Sequence, residues 1–311
     1  MRKYFILRFF ALLILVLTVL NPSVADAETK IVFEEDGIWS RPISDEEMCV
    51  SLYKESPFEL NLIADCVIAG TSLAGYITAL VLKVTMDLPD FNGTLYDKNS
   101  VAAIDRWAMR PYNKVLDDLG TVTCALDLGL IPLVVYGGEF LMKNLPKKDG
   151  IAVTVMYLES VLLSQTIKDF MKISVLRARP YMYFSDYDAS AIKYHDFEFS
   201  MPSGHTMNAF MSATFMTYTF CTYYPESKWR IPVIATSYAI ALGTGALRMA
   251  SGNHFFTDVL AGAGIGAACG FLVPFAHTFF GGLNKSLAGK TGKVDVEFAA
   301  LPNGLNVSMR F

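Results

Sequence analysis

Three segments of this chain, residues 204–224, 231–247 and 259–280, contain no Asp, Glu, Lys or Arg. Each is close to the length of about 20 residues that an α-helix needs to cross the hydrocarbon core of a bilayer. In that medium a backbone N–H or C=O has no water to bond, so a helix is the simplest way for one segment to satisfy itself. Earlier apolar stretches follow the same plan. Residues 66–82 are free of charge, 116–140 carry Asp117, Asp118, Asp127 and Glu139, and 151–171 carry Glu159, Lys168 and Asp169. Composition agrees: 53% of the 311 residues are hydrophobic and 18% charged, with a mean hydropathy of +0.36. A water-soluble domain carries about 25% charged residues. The expected fold is all-α, a membrane bundle of five or six helices. The rival, a soluble all-α core, is disfavoured by the three late charge-free segments. Gly262, Gly266 and Gly270 recur every four residues, which lets two helix backbones approach closely in a bilayer. The net charge of −4 and the lack of a basic stripe exclude nucleic acid as a partner.

Three short motifs punctuate the later helices: Lys172-X6-Arg179-Pro180, Pro202-Ser203-Gly204-His205, and Arg248-X5-His254-X3-Asp258. Together they supply three fixed cations, two histidines, a carboxylate and a Ser-Gly turn. That set can grip a phosphate, attack its phosphorus and protonate the leaving oxygen. If consecutive helices are antiparallel, all three motifs fall on one face of the bundle. The motifs resemble those of the type 2 phosphatidic acid phosphatase family, which includes bacterial acid phosphatases and vanadium haloperoxidases. The family pattern is KX6RP, PSGH and SRX5HX3D, and the resemblance covers roughly residues 115–280. The one departure is Leu247, which stands where the family has Ser and removes one hydroxyl from the site.

Residue chemistry and resemblance suggest the same roles. His254 is the candidate nucleophile, forming a phosphohistidine that water hydrolyses. Asp258, four residues on, is expected to hold the ring's other N–H. His205 is the candidate general acid. Lys172, Arg179 and Arg248 are expected on the non-bridging oxygens, with Ser203 and the Gly204 amide at a helix N-terminus suited to an anion. Arg177, at a variable position of the first motif, reads either as a phosphate contact or as structural. His195 and His277 read as structural. No metal and no cofactor is implied, because the cations already supply the neutralisation a metal would give.

The resemblance implies a phosphatase, and the bilayer setting implies a lipid phosphate partner: phosphatidate, phosphatidylglycerophosphate, undecaprenyl diphosphate or a lipid A phosphate. The alternatives are a soluble periplasmic acid phosphatase of broad specificity and a non-catalytic phosphate-lipid binding or transport protein.

Four regions are expected along the chain. Residues 1–27 read as a signal peptide, from basic Arg2, Lys3 and Arg8, the apolar run 9–20 and the Ala25-Asp26-Ala27 cleavage pattern. Residues 28–58 read as an exported lead-in, 59–284 as the helical phosphatase domain, and 285–311 as a tail whose alternation around Pro302-Asn303-Gly304 signals a β-hairpin. Residues 98–119 read as an amphipathic interfacial helix. Five cysteines without a CxxC spacing indicate neither a zinc site nor a disulfide framework. Loops rich in Lys and Arg at 143–148 and 226–230 are expected in the cytoplasm of a bacterial cell, which puts the motifs on the periplasmic side of the inner membrane. With an exported lead-in, that orientation requires that one early segment, 66–82, does not span.

Overall fold

The computed structural model describes residues 56–311 except 142–144, 189–190, 193–194, 292–294, 302–303 and 311, with side chains described as far as residue 279 apart from 62–63 and 139–141. The expected signal peptide and residues 28–55 of the lead-in lie outside the described residues. Helix α1 is Leu62–Thr85. Helix α2, Lys114–Ala125, runs through a π-turn at Leu126–Leu130 into α3, Ile131–Leu141. Then come α4, Lys147–Val175, α5, Gly204–Tyr223, α6, Arg230–Ala250, and α7, Phe256–Thr291. After α7, β1 (Asp295–Leu301) pairs antiparallel with β2 (Gly304–Arg310), Asp295 opposite Arg310.

The chain is a mostly helical membrane protein. Five stretches are long and apolar enough to cross a bilayer: Ala64–Thr85, Lys114–Gly138, Lys147–Val175, Arg230–Ala250 and Phe256–Phe279. Their outer faces expose Val81, Val84, Leu133, Val134, Ile231, Leu242, Leu260 and Leu272. Such a continuous apolar exterior is suited to lipid and not to water, which removes the soluble alternative. Trp107 and Trp229 are exposed at opposite ends of the bundle, as in the aromatic belts of membrane interfaces.

Helix α5 forms the axis, packing against α7, α6, α4 and α2. Shielded from lipid, it carries more hydroxyls than the outer helices, and several of these are bonded inside the protein. Thr217, Thr219 and Thr222 donate to the carbonyls of Ala213, Phe215 and Tyr218 one turn back, at 2.7–2.8 Å. Ser212 donates across to the Asp127 carbonyl at 2.5 Å. A Cβ at Gly262, Gly266 or Gly270 would run into the Ser203, Met207 or Met211 carbonyl of α5, so the glycine stripe is where α7 meets the axis.

Residues 66–82 belong to α1, which is long and apolar enough to span and packs along α4, where Thr166 donates to the Ser72 carbonyl at 2.6 Å. One sequence expectation fails. Residues 98–119 are not one helix. A 3₁₀ turn (Lys98–Ser100) and a single helical turn (Ala103–Arg106) precede α2, and the segment folds over the end of the bundle so that Asp105 is buried.

Candidate active site

Helix α4 ends where Leu176 takes a left-handed conformation (φ 43°, ψ 67°) and its N–H caps the Lys172 carbonyl. This turns the chain sharply out of the helix. The next residues run beside 197–200: Arg179 N donates to the Phe197 carbonyl at 2.8 Å, and Ser200 N to the Arg177 carbonyl at 2.9 Å. Lys172 in the last turn of α4 is buried and donates Nζ to the Phe199 carbonyl at 2.9 Å. Short backbone pairings thus hold the first motif against the approach to the second. Gly252 in the third motif has φ 76°, and a Cβ there would lie 2.6 Å from the carbonyl oxygens of both Arg110 and Pro111. Only glycine fits that close approach.

The three motifs meet at one end of the bundle, where α1, α4 and α6 finish and α2, α5 and α7 begin. His254 is 1% exposed. Its Nδ1 donates to the Ser200 carbonyl at 2.7 Å, which leaves the Nε2 lone pair facing Arg179 Nη1 at 3.3 Å. Arg179 donates Nε to the Asp196 carbonyl at 3.0 Å and Nη2 to the Asp196 carboxylate at 2.8 Å. Arg248 pairs with Asp117, and Tyr112 donates to the other Asp117 oxygen at 3.0 Å. His205 Nε2 lies 3.3 Å from Thr121 Oγ1. Ser203 precedes α5 without bonding the helix backbone through its side chain, so the first-turn amides of α5 remain open to an anion. Its hydroxyl instead meets Thr206 Oγ1 at 2.9 Å.

Burial, and next the charges of Arg179, Arg248, Lys172 and His205, hold His254 well below the usual imidazole range. A neutral ring with a free lone pair is the form that can attack phosphorus. Burial alone would lower Arg179, but Asp196 together with Tyr181, Asp117 and Asp258 outweighs it, and the guanidinium stays protonated.

Asp258 differs from expectation. It does not take the His254 N–H: its Oδ2 stands 3.8 Å from Nδ1, and the bond goes to Ser200. The reason is local. His254 precedes α7 instead of lying on it, so four-residue spacing does not stack the two side chains. Asp258 Oδ2 turns back to accept the Phe255 amide at 2.8 Å, the reach of a third-position capping carboxylate, and accepts Ser200 Oγ at 2.5 Å. Its Oδ1 accepts Arg177 Nη1 at 2.6 Å.

Arg177 resolves as structural. It bridges Asp258 and Asp105, the latter at 2.7 Å, and lies 4.0 Å over the Phe255 ring. Asp105 also accepts the Thr257 amide at 2.9 Å and its hydroxyl at 2.7 Å. Leu247, in place of the family Ser, packs beside Gly120 of α2. The supporting residues Asp105, Asp117, Thr121, Asp196 and Ser200 carry no local sequence signal, since each is identified only by a partner distant along the chain.

Comparison with known proteins follows the same pattern. The PAP2 superfamily model matches residues 153–280, which hold all three motifs. Phosphatidylglycerophosphatase B of Bacillus subtilis (strain 168) is 32% identical over 145 residues, 46% of this chain and 66% of that protein. Transmembrane protein 65 of Bos taurus is 33% identical over 89 residues, 29% of this chain and 33% of that protein. The chain therefore spans just under two thirds of the first relative's length and a third of the second's. A crystal structure of a transmembrane PAP2 type phosphatidylglycerolphosphate phosphatase from Bacillus subtilis is 24% identical, covering 70% of this chain and 96% of that one with a TM-score of 0.41. The segment similar to the PAP2 superfamily, residues 153–280, is thus the part of the chain whose helix ends bring the three motifs together.

Proposed function

We propose that this protein is a phosphatase that hydrolyses a lipid phosphate monoester or diphosphate through a phosphohistidine at His254. The observation that carries the reading is the His254 ring: Nδ1–H is committed to the Ser200 carbonyl at 2.7 Å, and the Nε2 lone pair faces a guanidinium 3.3 Å away. A phosphate drawn in by Arg179, Arg248 and Lys172 meets that lone pair. Nε2 attacks phosphorus, the bond to the lipid oxygen breaks, and His205 gives its proton to the leaving oxygen. Water then attacks the phosphorus–nitrogen bond, His205 takes the water proton, and inorganic phosphate leaves with His254 neutral again. Asp258, 3.8 Å from Nδ1, stabilises the positive charge that develops on the ring.

The lipid class follows from the setting. The site opens at a helix end beside exposed Trp107, so a headgroup phosphate can be engaged while the acyl chains stay among the apolar helix faces. The Bacillus relative, named for phosphatidylglycerophosphate, supports a glycerophospholipid phosphate. We further infer a periplasmic active face in a bacterial inner membrane. The opposite end carries Lys147, Lys148, Lys228 and Arg230, a basic bias suited to the cytoplasm. Helix α1 starts at that same basic end, so this orientation keeps residue 60 in the cytoplasm and is incompatible with an exported lead-in.

The test is phosphate release in detergent from phosphatidylglycerophosphate, phosphatidate, undecaprenyl diphosphate and lipid A phosphates. Turnover of at least one, an acid-labile phosphoprotein trapped by acid quench, and loss of both in His254→Ala are expected. No release from any of them would favour the binding or transport reading.

A further inference from the structure

We propose that Asp65, Glu159 and His277 form a binding site for a zinc-class dication, remote from the phosphate site, that ties α1 and α7 to α4. The three side chains come from three helices, and one ligand atom from each lies within 4.8 Å of the others. His277 Nε2 is 3.0 Å from Glu159 Oε2 and 3.9 Å from Asp65 Oδ1. Tetrahedral zinc with bonds of about 2.0–2.1 Å requires ligand separations of about 3.3 Å, which these distances bracket.

Hydrogen bonding and charge point to a cation. His277 Nδ1 approaches the Glu59 carbonyl at 3.0 Å, a contact it can make only by donating. Nδ1–H held by a backbone carbonyl with Nε2 turned to the ligands is the outer-shell arrangement of a metal-bound histidine. Glu159 is 1% exposed and Asp65 9%, yet Glu159 Oε1 and Asp65 Oδ1 have no hydrogen-bond partner among the described residues. Their ion pairs among the described residues are with His277 alone. A protonated His277 would leave the cluster with a net negative charge, buried in a membrane bundle where unbalanced charge is costly. A dication with a neutral His277 brings the sum to zero and gives the free oxygens a partner. Carboxylate and imidazole donors together suit zinc.

The site does not depend on the phosphatase reading, and neither does its test. Full-length protein in detergent is stripped with a chelator, dialysed and titrated with zinc chloride, and bound zinc is measured after gel filtration. One zinc per chain at micromolar concentration is expected for the wild type and for His254→Ala. Affinity at least tenfold weaker is expected for Glu159→Gln and Asp65→Asn. Zinc should raise the thermal midpoint of the wild type and not that of Glu159→Gln. Wild-type uptake below a tenth of an equivalent, or only at millimolar zinc, overturns the site even if no variant folds. Equal uptake by Glu159→Gln also overturns it, and loss of uptake in His254→Ala would move the zinc to the phosphate pocket and overturn it as well.

Discussion

His254 and Ser200 are joined through the backbone: the ring's Nδ1 donates to the Ser200 carbonyl at 2.7 Å, while the Ser200 hydroxyl donates to Asp258 at 2.5 Å. A carbonyl cannot accept from an unprotonated nitrogen, so this bond sets the tautomer. Asp258 acts on the ring through Ser200 and through space. Ser200→Ala keeps the carbonyl and loses only the hydroxyl bond to a carboxylate, worth about 1.5–3 kcal/mol. We expect kcat to fall about tenfold to a hundredfold with KM little changed. Asp258→Ala also leaves Arg177 without one of its two carboxylates, at a cost of about 3–5 kcal/mol for a broken buried pair. It should lower the thermal midpoint as well as kcat. Equal kinetic effects without a stability difference would contradict this division.

The cations around His254 shape its pH dependence. Protonated His254 has no lone pair at Nε2, so activity is lost as pH falls through its ionisation. Burial and then Arg179 hold that ionisation well below 6.5. The acid limb of kcat/KM should therefore lie below pH 6.5 in the wild type and move to higher pH in Arg179→Gln. In Arg179→Lys it should stay near the wild-type position although binding weakens. Comparison on one substrate cancels the substrate's own ionisation. An acid limb that Arg179→Gln leaves in place would separate Arg179 from His254.

Arg177 and Arg248 should divide by readout. Vanadate adopts the trigonal-bipyramidal shape of phosphoryl transfer and should inhibit competitively. Arg177 is committed to Asp105 and Asp258, so Arg177→Ala should lower the thermal midpoint and leave vanadate affinity within about threefold. Arg248→Ala should weaken vanadate at least tenfold, because a charge-assisted bond to the anion is lost. Turnover should persist in EDTA at temperatures well below the unfolding midpoint. Vanadate affinity falling more in Arg177→Ala than in Arg248→Ala would reverse the assignment.

Membrane orientation is testable by parity. Leu60 and Lys228 lie at the end opposite the site, and Ser185 in the loop beside it. In a background lacking the native cysteines, Ser185→Cys should react with a membrane-impermeant thiol reagent in intact spheroplasts, whereas Leu60→Cys and Lys228→Cys should not. The opposite pattern would make the site cytoplasmic and restore the exported lead-in. Labelling of Leu60→Cys together with Ser185→Cys would mean that α1 does not span.

The apolar segments, the Gly262-Gly266-Gly270 stripe and the three motifs are all legible in the chain because they rest on short-range regularities. A bilayer dictates segment length, and a helix repeats every 3.6 residues, so local spacing fixes which residues share a helix face or a helix end. Where local spacing stops, sequence reasoning stops with it. The four-residue step from His254 to Asp258 suggests a shared helical face, yet the helix begins after His254 and the carboxylate turns to Ser200 and Arg177. Asp105 reaches Arg177 from 72 residues away, and Asp65 meets His277 from the opposite end of the described helical sequence. The sequence alone determined the long apolar helices and the three motifs that stand at their ends. Only the tertiary structure decided which carboxylate holds each cation, which carbonyl orients His254, and that α1 lies against α4. Those pairings depend on how separate helices pack, and no period within one segment encodes the neighbour it will meet.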